Sequence, residues 1–208
     1  MDYQEGTCYG RRSEMMIVFR RLLCAILIFS LLGCGWKVTP PPGYDSNKRE
    51  NRIADQVFLK VNDSGVFWGG GKLGETVRDT LVENGSFKEV YFPVEPRNPP
   101  PLRLMIDAKG NVDEEKGLGT LKAIFIGALF FLPVGIVRFN KDFNLEADVS
   151  LYKQNKELHT FKIKSSTEIS HTMFSQATQY EPEARRIAFK DLGNKIAAEL
   201  GKVPLGGD

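Results

Sequence analysis

Cysteine is scarce in this 208-residue chain: Cys8, Cys24 and Cys34 are the only three, and all lie in its first sixth. The remainder therefore has no disulfide framework and no intrachain cysteine-based zinc site. Histidine is scarcer still, with His159 and His171 alone, and two histidines without a cysteine make a poor metal set. A strong charge excess is also missing, since 28 Lys+Arg face 26 Asp+Glu for a net +2. Duplex-DNA binders carry a larger basic surplus, so nucleic acid is not an expected partner. No internal repeat and no G-x-S-x-G nucleophile elbow occurs. What is present is ordinary for a folded protein: 42% hydrophobic and 26% charged residues, enough for one domain with or without a tether.

The cysteines point to processing. From Met15 the chain reads MMIVFRRLLCAILIFSLLGC, with Arg20 and Arg21 ahead of an uncharged run of eleven residues, Leu22 to Leu32. That run has the length of a signal-peptide core and is too short to span a bilayer. Residues 1–14 are polar and fit no leader pattern, so Met15 or Met16 is the expected start. The alternative is an uncleaved signal anchor from Met15 to Leu32. The run ends at Leu31-Leu32-Gly33-Cys34, which resembles the lipobox of bacterial lipoproteins. The resemblance implies diacylglyceryl transfer to the Cys34 thiol, cleavage between Gly33 and Cys34, and acylation of the new amino terminus. Leu32 stands where a small residue is more usual. In the well-studied Gram-negative members an aspartate after the cysteine signals inner-membrane retention; here Gly35 follows. The implied location is the outer membrane, anchored by lipid at the periplasmic face, with an inner-membrane lipoprotein as the alternative.

The mature chain would hold 24 basic and 23 acidic residues, so electrostatic steering is not its theme. Residues 34–51, with Pro40-Pro41-Pro42, read as a lipidated tether. One α/β domain is expected over 52–208. Gln56–Asn62 is a strand pattern with Val57, Leu59 and Val61 on one face, and a glycine-rich loop follows at Gly65–Gly71. Leu73, Val77 and Leu81 form a helical stripe, closed by Asn84-Gly85. Lys88–Phe92, cut by Pro93, is a short or edge strand, and Leu102–Ala108 is a third. Phe143–Tyr152 alternates without a fault, predicting an antiparallel strand with one wet face. Gln154–Glu157 is the turn into its hairpin partner, Leu158–Lys164. Tyr180–Leu200 is a helix with Pro182 in its first turn and a buried stripe of Ala188, Leu192, Ile196 and Leu200. The order predicts an α+β two-layer sandwich: a mixed, largely antiparallel sheet with helices on one face.

An apolar insert interrupts this order at 118–138. Ala123–Val137 has no charge over fifteen residues, between Lys122 and Arg138. As a helix it would measure about 22 Å, short of a ~30 Å bilayer core, and Gly127 and Pro133 weaken it. Three roles stay open: a buried element of the domain, a flap on the bilayer or a partner, or a transmembrane helix that would split the sandwich. The residues for membrane or partner contact are Ile124, Phe125, Ile126, Leu129, Phe130, Phe131 and Leu132.

Chemical motifs are few. Gly69-Gly70-Gly71-Lys72-Leu73-Gly74 matches G-x-G-x-x-G, with Glu95 twenty-one residues past Gly74. The strand pattern ends at Val61, too far upstream for the tight turn of a dinucleotide site, and no parallel β-α units follow. A flexible loop feeding a helix is the simpler reading. Asp113-Glu114-Glu115 reads as a solvated acidic loop, and Phe67-Trp68 as either core or an exposed recognition patch. No catalytic, cofactor-binding or metal residue is assigned, and no enzyme is expected.

The segment LGETVRDTLVENGSFKEVYF resembles a helix-then-strand element of envelope lipoproteins. The N-terminal domain of the Tol translocation protein, the curli-secretion lipoprotein and the lipoprotein activators of penicillin-binding proteins share it. The similarity covers about twenty residues and transfers no functional residue. It implies a binding or assembly module for another envelope component, held at the membrane by its N-terminal lipid and joined by a protein partner or by self-association. The alternative is a module handling lipid or another hydrophobic ligand with 123–137.

Overall fold

The computed structural model describes residues 17–21, 23–24, 35–44, 53–68, 71–114, 116–128, 137–172, 175 and 177–203. The strands are β1 (Trp36–Thr39), β2 (Ala54–Val66), β3 (Phe87–Tyr91), β4 (Leu102–Glu114), β5 (Phe139–Lys153) and β6 (Lys156–His171). The helices are α1 (Leu73–Glu83), α2 (Lys116–Ala128) and α3 (Ala177–Leu200). Residues 17–21 and 23–24 are also helical. The fold is α+β, as the residue pattern predicts.

The strands form one mixed sheet in the order β1-β6-β5-β4-β2-β3. β2 lies parallel to both β3 and β4, and β4 runs antiparallel to β5. The first parallel pair follows from β2-α1-β3, a crossover helix returning the chain in the same direction. α1 stops where the sequence places its stop. Gly85 adopts φ +71°, Gly85 N–H donates to the Val82 carbonyl and Ser86 N–H to that of Leu81, which is a Schellman closure. Phe87, directly beyond, is fully buried. β3 is both short and at the sheet edge, the place where Pro93 is tolerated.

The inward face of the sheet is apolar and registered. Leu104 opposes Leu151, Ile106 opposes Val149, and Ala108 opposes Ala147. Leu73, Val77 and Leu81 of α1 and Ala188, Leu192, Ile196 and Leu200 of α3 complete the core. The two helices approach closely at Gly193, where an added Cβ would meet the Thr80 side chain at 2.9 Å. Asn84 Nδ2 donates to Asn194 Oδ1 at 3.0 Å across the same contact.

Five local expectations are corrected. β2 does not end near Val61: a one-residue bulge between Asn62 and Gly65 carries it on to Val66, so Gly65 is strand and not loop. The hairpin turn is two residues, Gln154 and Asn155, with φ +50° and +67°. Both central φ angles are positive, as in the type I′ turns that match strand twist, so Lys156 and Glu157 already belong to β6. α3 starts at Ala177, which puts Pro182 inside the helix rather than in its first turn. Tyr180 is buried and fixes that early turn. The carbonyl left without its donor is that of Thr178, an exposed residue that water can reach. Asp113 and Glu114 end β4 instead of forming a loop; Glu115 lies outside the described residues. The expected tether is partly structured, since Trp36–Thr39 pairs as a strand beside β6 and the Tyr44 carbonyl accepts from Asn194 Nδ2 at 2.6 Å.

The chain divides into two compact units. The larger comprises residues 37–114, 140–170 and 177–208 and holds the sheet core. The smaller comprises 1–36, 115–139 and 171–176 and includes α2.

Candidate functional site: a lysine-lined groove and an exposed apolar helix

The solvent face of the larger unit is built from rungs of polar side chains. Asn62 donates to Asp107, which sits opposite Asp148, and Lys162 reaches Asp148 at 3.0 Å. Two like charges face each other directly, and the amide and ammonium on either side offset their repulsion. The hydrogen bond to Asp148 holds the Lys162 ammonium above its ordinary range. One rung over, Lys109 opposes Glu146 and Lys164 lies 3.4 Å from Glu146.

At this rung a cavity of about 900 Å³ opens. Its lining includes Lys109, Glu146, Lys164 and Ser166 from the strands, Phe67 and Pro42 from the flanking turns, and Lys195 from α3. The β2 bulge shapes it, because Gly65 packs on Lys109 so closely that a Cβ there would stand 2.9 Å from Lys109 Cγ. Phe67 is 91% exposed. Its neighbour Trp68 is buried, stacked on Phe189 at 5.5 Å and edge-on to Phe143 at 5.2 Å. Of the two aromatics read as either core or an exposed patch, Trp68 is core and Phe67 is an exposed surface ring.

Lys195 Nζ pairs with Asp191 at 2.7 Å and donates to the Lys164 carbonyl at 2.9 Å. Asp191 is fully buried, so this ammonium neutralises a carboxylate taken out of water. With Lys195 committed to Asp191, Lys109 and Lys164 against Glu146 leave the groove a small positive excess, and the lysine stems with Phe67 and Pro42 make its walls apolar. Such a lining suits an anion that also carries a flat or apolar surface.

α2 is the second feature. Leu118, Leu121, Ile124 and Phe125 are between 54% and 63% exposed, whereas Ile126 is buried. No residue of α2 enters the main core cluster. Among the described residues no helix is long and apolar enough to cross a membrane. Of the contact residues expected from sequence, Ile124 and Phe125 face outward and Ile126 does not. Leu129, Phe130, Phe131 and Leu132 lie outside the described residues, as do Leu31, Leu32, Gly33, Cys34 and both candidate start methionines.

The remaining motifs take structural roles. Gly74 is required by Phe92, whose ring would meet an added Cβ at 2.1 Å; Gly69 and Gly70 lie outside the described residues. Glu95 pairs with Arg103 at 2.7 Å. Glu114 pairs with Lys141 at 2.8 Å. Partial burial works against the Lys141 ammonium, but the hydrogen bond and charge of Glu114 prevail and raise its pKa. His171 stacks on Phe139 and His159 tilts against Phe161. Among the described residues no group of three or more His, Cys, Asp or Glu is placed to hold a metal ion.

No protein-family model matches this chain, and no curated protein does. Solved structures similar to it include a minor lipoprotein from Acinetobacter baumannii, at 11% identity and TM-score 0.46, over 71% of this chain and 93% of that one. Rare lipoprotein B from Shewanella oneidensis is similar at 14% identity and TM-score 0.35, over 71% of this chain and 92% of that one. An uncharacterized lipoprotein B from Nitrosomonas europaea is similar at 12% identity and TM-score 0.39, over 74% of this chain and 88% of that one. The chain is thus similar to bacterial proteins named as lipoproteins, and at these identities no residue role passes from them to it.

Proposed function

We propose that this chain is a lipid-anchored protein of the bacterial cell envelope whose α+β domain binds or assembles with another envelope component. Leu31-Leu32-Gly33-Cys34 after an apolar run supports the anchor, with several acyl chains on one residue giving the stable attachment that one chain does not. Gly35 in place of aspartate favours the periplasmic face of the outer membrane. The observation that carries the binding role is the groove: an open cationic cavity with an exposed aromatic ring, assembled from six separate stretches of chain. Its lysines and exposed ring suit recognition of an anion with an apolar surface.

Two measurements test this. Mass spectrometry of the native N-terminus should find Cys34 first and acylated, and Cys34→Ser should abolish that mature form. A photocrosslinking residue at Phe67 should give a discrete adduct in intact cells, lost in Lys109→Glu/Lys164→Glu and absent for the same probe at exposed Val94. Equal adducts from both positions would sink the binding role. A second reading, handling of a hydrophobic ligand by 123–137, draws support from the exposed side chains of Ile124 and Phe125.

A further inference from the structure

α2 presents four large exposed apolar side chains on a helix of 13 residues. Leu118, Leu121 and Phe125 recur at i, i+3 and i+7, and Ile124 widens the same face. The helix is about 20 Å long, too short to cross a bilayer core. Within the helix the charges are Lys116 and Lys122; Arg138 lies beyond it, and Glu114 and Glu115 directly precede it. An apolar stripe on a helix whose own charges are both cations complements an anionic lipid surface.

Described contacts also connect this helix to the residue that follows Cys34. The Gly35 carbonyl accepts from Ser175 Oγ at 3.0 Å, and that hydroxyl oxygen in turn accepts from Thr172 N–H at 3.3 Å. His171, next in the chain, stacks on Phe139 with ring centroids 5.9 Å apart. Lys122 Nζ stands 6.0 Å from the centre of that Phe139 ring. All of these residues belong to the smaller unit. The apolar helix and Gly35, the residue after Cys34, therefore belong to one compact unit.

We propose that α2 is an interfacial helix: its Leu118, Leu121, Ile124 and Phe125 face enters the surface of an anionic bilayer, beside the acyl chains on Cys34. This deepens the lipid-anchor reading and rests on it. The helix lies in the headgroup region, its apolar side chains reach the upper acyl chain, and the cations sit among the phosphates.

The test uses the full chain extracted from membranes and reconstituted in vesicles of phosphatidylglycerol and phosphatidylcholine carrying acyl-brominated lipid. Phe125→Trp and, separately, Leu121→Trp report contact through quenching, after subtraction of the signal from Trp36 and Trp68 in the unsubstituted chain. Quenching of about twofold or more is expected at both positions. Acylation read by mass spectrometry in the same samples separates the two claims. An acylated protein with unquenched tryptophan at both positions overturns the interfacial helix and leaves the anchor standing. Quenching without acylation supports the helix and removes the anchor. A helix that docks a protein instead would stay unquenched in these protein-free vesicles, and that result also overturns the proposal.

Discussion

Single residues in this molecule are constrained more by contact than by chemistry. Gly110 faces the core on β4, and a Cβ there would lie 2.6 Å from Trp68 Nε1. Gly110→Ala must push the indole off its stack with Phe189, so a loss of about 1–3 kcal/mol is expected, readable as a lower urea midpoint with an unchanged slope. Glu183 is governed by charge instead. Its two hydrogen bonds from Arg186, at 2.7 and 2.9 Å, hold its carboxyl below the usual 4.5. A carboxylate whose pKa falls on folding stabilises the native state above its unfolded pKa, and that contribution vanishes as pH drops through the folded value. Solvent exposure limits it to about 0.5 kcal/mol at neutral pH. Glu183→Gln should therefore be slightly less stable than the parent at pH 7 and equal to it once the pH lies well below 4.5, by thermal melts at both pH values.

At the scale of elements, the β5–β6 hairpin turns on two residues with left-handed backbone, and neither is glycine. Gln154→Asn with Asn155→Gly installs the pair that type I′ turns favour. A gain of about 0.5–1 kcal/mol is expected, measured by chemical denaturation. The same hairpin shows what the sequence could and could not disclose. β5 was legible because every inward position from Phe143 to Leu151 is apolar. β6 was legible only to Lys164, because its next inward positions are Ser165 and Thr167, both buried and polar. Ser165 settles there by donating to the Ala188 carbonyl at 3.2 Å. β4 fades after Ala108 for a different reason: its next inward residue, Gly110, has no side chain to mark the period. β2 is lost at its bulge, where one extra residue shifts the alternation. The Asn84-Gly85 stop was readable because left-handed backbone at a helix end nearly demands glycine. The groove was not readable at all, since Phe67, Lys109, Glu146, Lys164 and Lys195 are adjacent only after the sheet has formed.

For the molecule as a whole, the described residues of the apolar insert stand outside the main core cluster. The chain leaves the sheet at Glu114 and re-enters it at Phe139, and the last register pair of β4 with β5 is Glu114 with Lys141. The gap they leave is short enough for a tight hairpin loop. Replacing 116–139 with a short Asn-Gly turn should therefore leave the larger unit folded, with its amide-exchange protection along β4 and β5 retained. A chain that instead unfolds would show the insert to be core.

The position of β1 has a mechanical outcome. Trp36 opens that strand only two residues after Cys34, and Asn194 holds the backbone again at Tyr44. A free run of residues 36–44 would give a leash of about 30 Å; woven into the edge of the sheet, it gives almost none. Were Cys34 acylated as proposed, almost no slack chain would lie between the lipid and the strand that opens at Trp36, so a partner would have to be met near the bilayer rather than reached across the space above it.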